Sequence, residues 1–339
     1  MFFQLLVIIH LLLTTLASHQ TYPGTNTRPI LSDTEAVQYT KAKYLQGWAP
    51  SDIATNKADY TVGSGGYTNI QAAVNAAIKA GGTTRKYIKI LPGKYAQLVF
   101  IPQTTVPLTL YGSVGHPALV HIILSQGAKM SGAEWSKQVN PNGSFYREGD
   151  PAWPMYHDCA IRATIGTFCS SVVWAQNDNL EFAYVTIENP SIVGQAVAVS
   201  KSTIKGDVDF IFGPASAVFE NTNIIARADR PRNTAVIFAP NTTNTQKFGF
   251  LLIRGNITAE TAIKNNRGVH LVRAWDSTPS ANGQILIRDS IIDAVINVNA
   301  PYDKATSGRS FSGNINKNRN LNDSKYNRFW EYANIGSGA

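Results

Sequence analysis

Charge is sparse in this chain of 339 residues: Asp, Glu, Lys and Arg make up only 15%. That excludes a disordered polyelectrolyte, and the 44% of hydrophobic residues is ample for a sizeable folded core. No Lys/Arg-rich run, zinc-finger pattern or RNP-like motif occurs, so nucleic acid is not an expected partner. None of the six histidines falls in a metal-ligand spacing, and neither a metal nor another cofactor is expected. Two cysteines are too few for a disulfide-built scaffold. Only one long apolar run exists, Met1 to about Ala17, and no other stretch is long enough to span a bilayer.

That run is followed by small and polar residues, and residues 1–18 are read as a cleaved secretory signal. Its first residues carry no Lys or Arg, so the amino terminus is the only positive charge there. Residues 19–339 are then one secreted, extracellular domain, free of the membrane and monomeric. Secretion gives the cysteines a meaning: Cys159 and Cys169 can close a short disulfide loop in an oxidising compartment, the alternative being two buried free thiols. Four Asn-x-Ser/Thr sequons begin at Asn142, Asn241, Asn256 and Asn322, acceptors for glycans in a eukaryotic host. The net charge is +8 and the signal segment carries none of it. A secreted basic protein meets polyanions, and with nucleic-acid motifs absent an acidic polysaccharide fits best.

Along the chain, residues 19–60 read as an irregular lead-in. Thr68-Asn69-Ile70-Gln71 reads as a capping box, with Ile70, Val74, Ala77 and Ile78 at helical spacing and Gly81-Gly82 as the stop. The character then changes to short strands and turns, beginning with Ile88–Leu91 before Pro92-Gly93 and with Leu108–Gly112. The apolar pairs Phe182/Ile187, Phe219/Ile224, Leu252/Ile257 and Ile287/Ile292 share one separation and bracket polar or turn residues such as Asn221, Gly255 and Asp289. They start 37, 33 and 35 residues apart. Self-similarity at this period in strand-like sequence predicts a solenoid, a parallel β-helix, with a sandwich or propeller as rivals. The helix that runs from this capping box to Gly81-Gly82 would cap its first coil, and the aromatic, Asn-rich tail from Asn320 would lie outside or close the other end.

The segment with most chemistry in it is Gly206-Asp207-Val208-Asp209-Phe210-Ile211-Phe212-Gly213. In a regular strand Asp207, Asp209 and Ile211 share one face, and Val208, Phe210 and Phe212 the other. The aromatic row would anchor the backbone while a carboxylate looks out, a platform for a nucleophile or general base. From spacing alone, two solvated acids at a strand start fit as well.

This segment, followed by Ala217-Val218-Phe219-Glu220-Asn221, resembles the nucleophile region of the pectin methylesterase (pectinesterase) family. The resemblance extends over most of residues 19–339. Gly65–Val74 and Ile90–Tyr95 are similar to the family's opening helix and first strand, Gln195-Ala196-Val197-Ala198-Val199 to its Gln-Ala-Val-Ala-Leu motif, and Val272-Arg273-Ala274-Trp275-Asp276 to its Leu-Gly-Arg-Pro-Trp motif. The stretches 165–189 and 320–338 look closest to the family's bacterial-type branch. The resemblance implies an all-β, right-handed parallel β-helix that hydrolyses methyl esters of pectin galacturonate to acid and methanol, acting on pectin or polygalacturonate. Position by position, it implies Asp209 as nucleophile, Arg273 as the cation that orients and ionises it, and Gln195 as an oxyanion donor. Trp275 would be a sugar-stacking wall, with Phe210 and Ile211 beside the substrate.

One family element is missing. The second aspartate, in Gln-Asp-Thr between the Gln-Ala-Val-Ala strand and the nucleophile strand, acts as general acid and then base. Here Ser200 runs straight into Lys201–Gly206, and no Gln-Asp-Thr or Gln-Asn-Thr occurs. An internal deletion of a coil's worth or more is expected, with Gln195 moved onto a different rung. Asp207 is a substitute donor on the same strand, badly placed for work across a cleft. Two functions remain in view, an esterase of impaired activity and a catalytically silent pectin-binding protein. Another β-helix enzyme, a polygalacturonase or pectate lyase, would show a Gly-His-Gly motif or an acidic calcium cluster, and neither is present.

Overall fold

The computed structural model describes residues 22–339 apart from 51, 54–56, 193–194, 229–234 and 317. The proposed signal at 1–18 therefore lies outside the described residues. Among those that are described, no helix is long and apolar enough to cross a membrane.

The chain winds into three parallel sheets of nine, seven and six strands, each successive coil adding a rung to each sheet. This is the predicted parallel β-helix. The first sheet stacks Phe182, Val199, Phe219, Leu252 and Ile287 in one column. The second stacks Ile187, Ile204, Ile224, Ile257 and Ile292. Both columns point into one continuous core and are almost wholly buried. The expected pairs are thus real, but the spacing of 37 hides a rung. Val199 and Ile204 form an intermediate pair, so two coils of 17 and 20 residues stand where one was expected. Later coils lengthen to 33 and 35 residues because their turns carry loops.

The corner between the first two sheets repeats a local device. Tyr184, Lys201, Asn221, Arg254, Asp289 and Ala333 all have φ between +49° and +56°, a left-handed residue at the same place in six rungs. Each such residue costs on the order of 1–2 kcal/mol unless held by its surroundings. Buried hydroxyls supply part of the hold. The side chains of Ser202, Thr222 and Ser290 each donate to the carbonyl two residues back, across the corner, at 2.8, 3.1 and 2.7 Å.

The capping helix, α1 (Ile70–Lys79), lies where the periodicity puts it and buries Ile70, Ala73, Val74 and Ala77 against the first coil. Its cap is Asn69, whose side chain accepts from the Ala72 N–H at 2.7 Å. The expected capping box at Thr68 does not form. Gln71 turns inward, accepting from Phe100 N–H and donating to its carbonyl. The tail adds a strand, Arg328–Tyr332, to the end of the first sheet.

Sequence periodicity gave no sign of two features. Residues 124–172 leave the coil as an excursion containing the helices Gly132–Val139, α2 (Trp153–Ala160) and α3 (Gly166–Cys169). It packs around its own apolar cluster with Trp135 and Tyr146 at its centre. The lead-in is also ordered. Leu31, Tyr39, Tyr44 and Leu45 cover the outer face of the first sheet, against Ala198, Val218, Leu251 and Leu286.

An ion pair joins this strap to the tail: the Arg319 guanidinium, with no exposed side-chain surface, donates to both oxygens of Glu35. Burial pushes the Glu35 carboxyl up, but the donors from Arg319 and Ser32 outweigh it and the net direction is down from 4.5. A lowered folded-state value means stabilisation that is full above the unfolded value and lost as pH falls through the folded one. Glu35→Gln should therefore cost about 3 kcal/mol in denaturant unfolding at pH 7 and less at pH 3. An equal cost at both pH values would remove the electrostatic account.

Candidate active site

Strand β1 (Thr203–Gly206) ends the second sheet's rung, and the chain turns through Asp207 into β2 (Val208–Gly213) of the third sheet. There β2 lies between Pro190–Ile192 and β3 (Val236–Pro240), and beyond β3 comes β4 (His270–Val272). The register of β2 on β3 shifts between Val208 and Ile211, and Asp209 sits in this irregularity with φ +53°.

That shift corrects the expected alternation. Phe210 and Ile211 are consecutive, yet both enter the core, at 1% and 0% exposure. Fully buried, they cannot touch a polysaccharide directly, contrary to the expectation for them. Phe212, expected inside, instead turns to the outer side of the sheet, 5.7 Å from Trp275 and 6.0 Å from Phe168. Gly206 makes the geometry possible, since a Cβ there would lie 2.1 Å from the Phe210 Cβ.

Arg273 follows β4 directly, its backbone N–H held by the Phe238 carbonyl at 3.0 Å. Its Nε donates to Asp209 Oδ1 at 2.7 Å and a terminal nitrogen donates to Oδ2. This is a fork-on-fork pair, the strong geometry for guanidinium and carboxylate. Both side chains keep some solvent contact, 25% for Arg273 and 21% for Asp209. The bond to Asp209 raises the Arg273 pKa above the ordinary guanidinium range against the opposing effect of burial, so the cation is permanent. Trp275, two residues on, is half-buried and lies across Phe168 at 5.2 Å.

Other expected residues are not brought to Asp209. Gln195 stands on the turn that follows the strand Pro190–Ile192. That strand's register on β2 puts the turn past the Gly213 end, whereas Asp209 is near the Val208 end. The Gln195 amide oxygen accepts from Gln246 at 3.4 Å and its backbone N–H donates to Asp178 at 2.7 Å. Asp207 accepts from the Val208 N–H at 2.7 Å and opens on a pocket of about 310 Å³ shared with Gln126, Glu188, Lys205 and Arg227. Cys159 and Cys169 form the expected disulfide, which ties α2 to α3 next to Phe168. Phe168 is the neighbour of Trp275 that sequence reasoning missed; its one signal was the adjacent Cys169. Among the described residues, no three His, Cys, Asp or Glu side chains are grouped to hold a metal ion.

A Pectinesterase family model matches residues 196–306, which include Asp209, Arg273 and Trp275. A pectinesterase from Sitophilus oryzae is 41% identical over 98% of this chain and its own full length. The chain belongs to the pectinesterase family. Pectinesterase B from Dickeya dadantii is 34% identical, over 92% of this chain and 90% of its own. Among solved structures, the rice weevil pectin methyl esterase superposes with a TM-score of 0.81 at 40% identity, covering 94% of this chain and all of that one. The bacterial-type motifs therefore led to the right family, and its fold is the one found here.

Within this pectinesterase frame Gly206 carries a clear expectation. Gly206→Ala should destabilise the protein by about 1–3 kcal/mol through the Phe210 clash. Gly127→Ala, where no atom lies within 4 Å of the added carbon, should change little. Denaturant midpoints of the two variants decide it, and equal midpoints would mean that β2 has room to relax.

Proposed function

We propose that this chain is a secreted carbohydrate esterase that hydrolyses the methyl esters of pectin galacturonate through Asp209. The observation that carries the reading is the two-pronged Arg273–Asp209 pair on the outer face of the third sheet. Arg273 keeps the carboxylate anionic and fixes the direction of its oxygens. One of them attacks the ester carbonyl, whose π electrons move to oxygen. Collapse breaks the bond to methoxide, which leaves as methanol on taking a proton. The resulting anhydride with Asp209 is cleaved by water, giving the uronic acid and free Asp209 and returning the proton. Trp275 supports the same reading as a wall for the sugar ring's apolar face. The disulfide and the overall basic charge support an extracellular enzyme on an acidic polysaccharide.

The proton donor and the oxyanion donor are where this chain departs from its family. The sequence has no Gln-Asp-Thr, and the Sitophilus alignment runs over 384 residues against 339 in this chain, which supports an internal loss. Losing a general acid/base costs about 10²–10⁴ in rate. Gln195, off the reacting end of β2, supports a further loss of about 10²–10³ if no other donor replaces it. The position of Gln195 favours a second reading, a pectin-binding protein with little or no turnover.

Methanol release from highly methylated pectin separates the two. The esterase reading predicts slow release that Asp209→Asn abolishes and Arg273→Ala lowers by at least about 10²-fold. Release that survives Asp209→Asn would end the nucleophile assignment, whereas pectin retention without any release would establish the binding reading.

A further inference from the structure

We propose that Phe168, anchored by the Cys159–Cys169 disulfide, contacts the polysaccharide directly and helps set its specificity; this rests on the pectin reading above. Phe212 is only 2% exposed although its ring points out of the sheet, because Trp275 and Phe168 cover it. Those two rings are half-buried and form the solvent-facing part of the cluster. They come from opposite directions, Trp275 from the turn after β4 and Phe168 from α3 in the excursion. Their centroids are 5.2 Å apart and their planes inclined at 50°, which makes an apolar trough rather than a flat stack. The trough begins two residues from Arg273, so a chain whose ester reaches Asp209 must lay a neighbouring sugar against it. The C–H faces of a pyranose suit such walls, with hydroxyls left at the rims.

Phe168 is held as a fixed part of the site. Its ring stacks on Trp174 at 5.3 Å and 14°. The Ser171 N–H and hydroxyl both donate to the Phe168 carbonyl, at 3.1 and 2.6 Å. The Trp135 indole donates to the Cys169 carbonyl at 2.9 Å, and the Asn189 amide to that of Ser170 at 3.0 Å. The disulfide then ties the segment to α2. Phe168 has no group that moves protons, so its contribution is to binding and not to the chemical step.

Retardation of the full chain in native gels containing methylated pectin tests this without requiring turnover. Phe168→Ala should raise the apparent Kd about tenfold, Phe168→Trp should keep it within about twofold, and the pair Cys159→Ser with Cys169→Ser should raise it several-fold. Where methanol is released, Phe168→Ala should raise KM and leave kcat within about twofold. An unchanged Kd for Phe168→Ala overturns the proposal. So does a Trp variant as weak as the Ala variant with a matching fall in Tm, the mark of a purely structural ring. If the wild-type chain itself is not retarded, the pectin reading fails and this inference falls with it, a result distinguishable by the wild-type lane alone.

Discussion

The break in register at Asp209 is the constraint on which the site depends. A regular β2 would send Asp209 and Ile211 to one side and Phe210 and Phe212 to the other. With φ at +53°, Asp209 faces outward while Phe210 and Ile211 both enter the core. That backbone state costs on the order of 1–3 kcal/mol. Two buried side chains offset it from inside and a bidentate ion pair from outside. Gly206 is the third partner, because the bend leaves no space for a Cβ against Phe210. Gly206, four residues before the first core position after the bend, Phe210, thus helps to aim the carboxylate.

Much of the fold was legible because a β-helix repeats its demands. A column of apolar residues must recur wherever a rung meets the core, and the Phe182 and Ile187 columns show it. The hidden rung at Val199 and Ile204 was missed for a physical reason. Its polar interval of Lys201 and Ser202 makes the same corner as Asn221 and Thr222, but its coils are shorter, so a search at one period steps over it. The helical excursion at 124–172 was illegible for the opposite reason. It packs on itself, around Trp135, and has no counterpart in neighbouring coils to reveal it by repetition.

The site divides in the same way. Asp209 and Arg273 were readable from motifs because they stand at fixed offsets from strands two rungs apart. Ile211 and Phe212 were put on the wrong faces because alternation is a property of unbroken strands, and this strand is broken where it matters; Phe210 and Ile211, set beside the substrate by the resemblance alone, are both buried. Phe168 carried no motif of its own. Its position depends on a disulfide, three carbonyl contacts and a chain excursion, a tertiary arrangement that no local pattern encodes.

Coil number explains why some of these residues meet and others do not. Asp209 and Arg273 both lie after Ser200, on β2 and just past β4 with β3 between them, so their mutual geometry is indifferent to how many coils precede them. Residues before Ser200 are different, since each coil inserted or lost moves them by a rung, about 4.8 Å, relative to Asp209. Gln195 and Phe168 both belong to this group. With only the rung Pro190–Ile192 between Val173–Ala175 and β2, Phe168 reaches Phe212 and Trp275. The same short winding leaves Gln195 at the wrong end of β2. On the proposed reading, one topological fact therefore pulls in two directions, drawing Phe168 and Trp275 together as an apolar wall while keeping the Gln195 amide from the Asp209 end of β2. On that reading, a chain wound this way would hold its polysaccharide better than it turns it over.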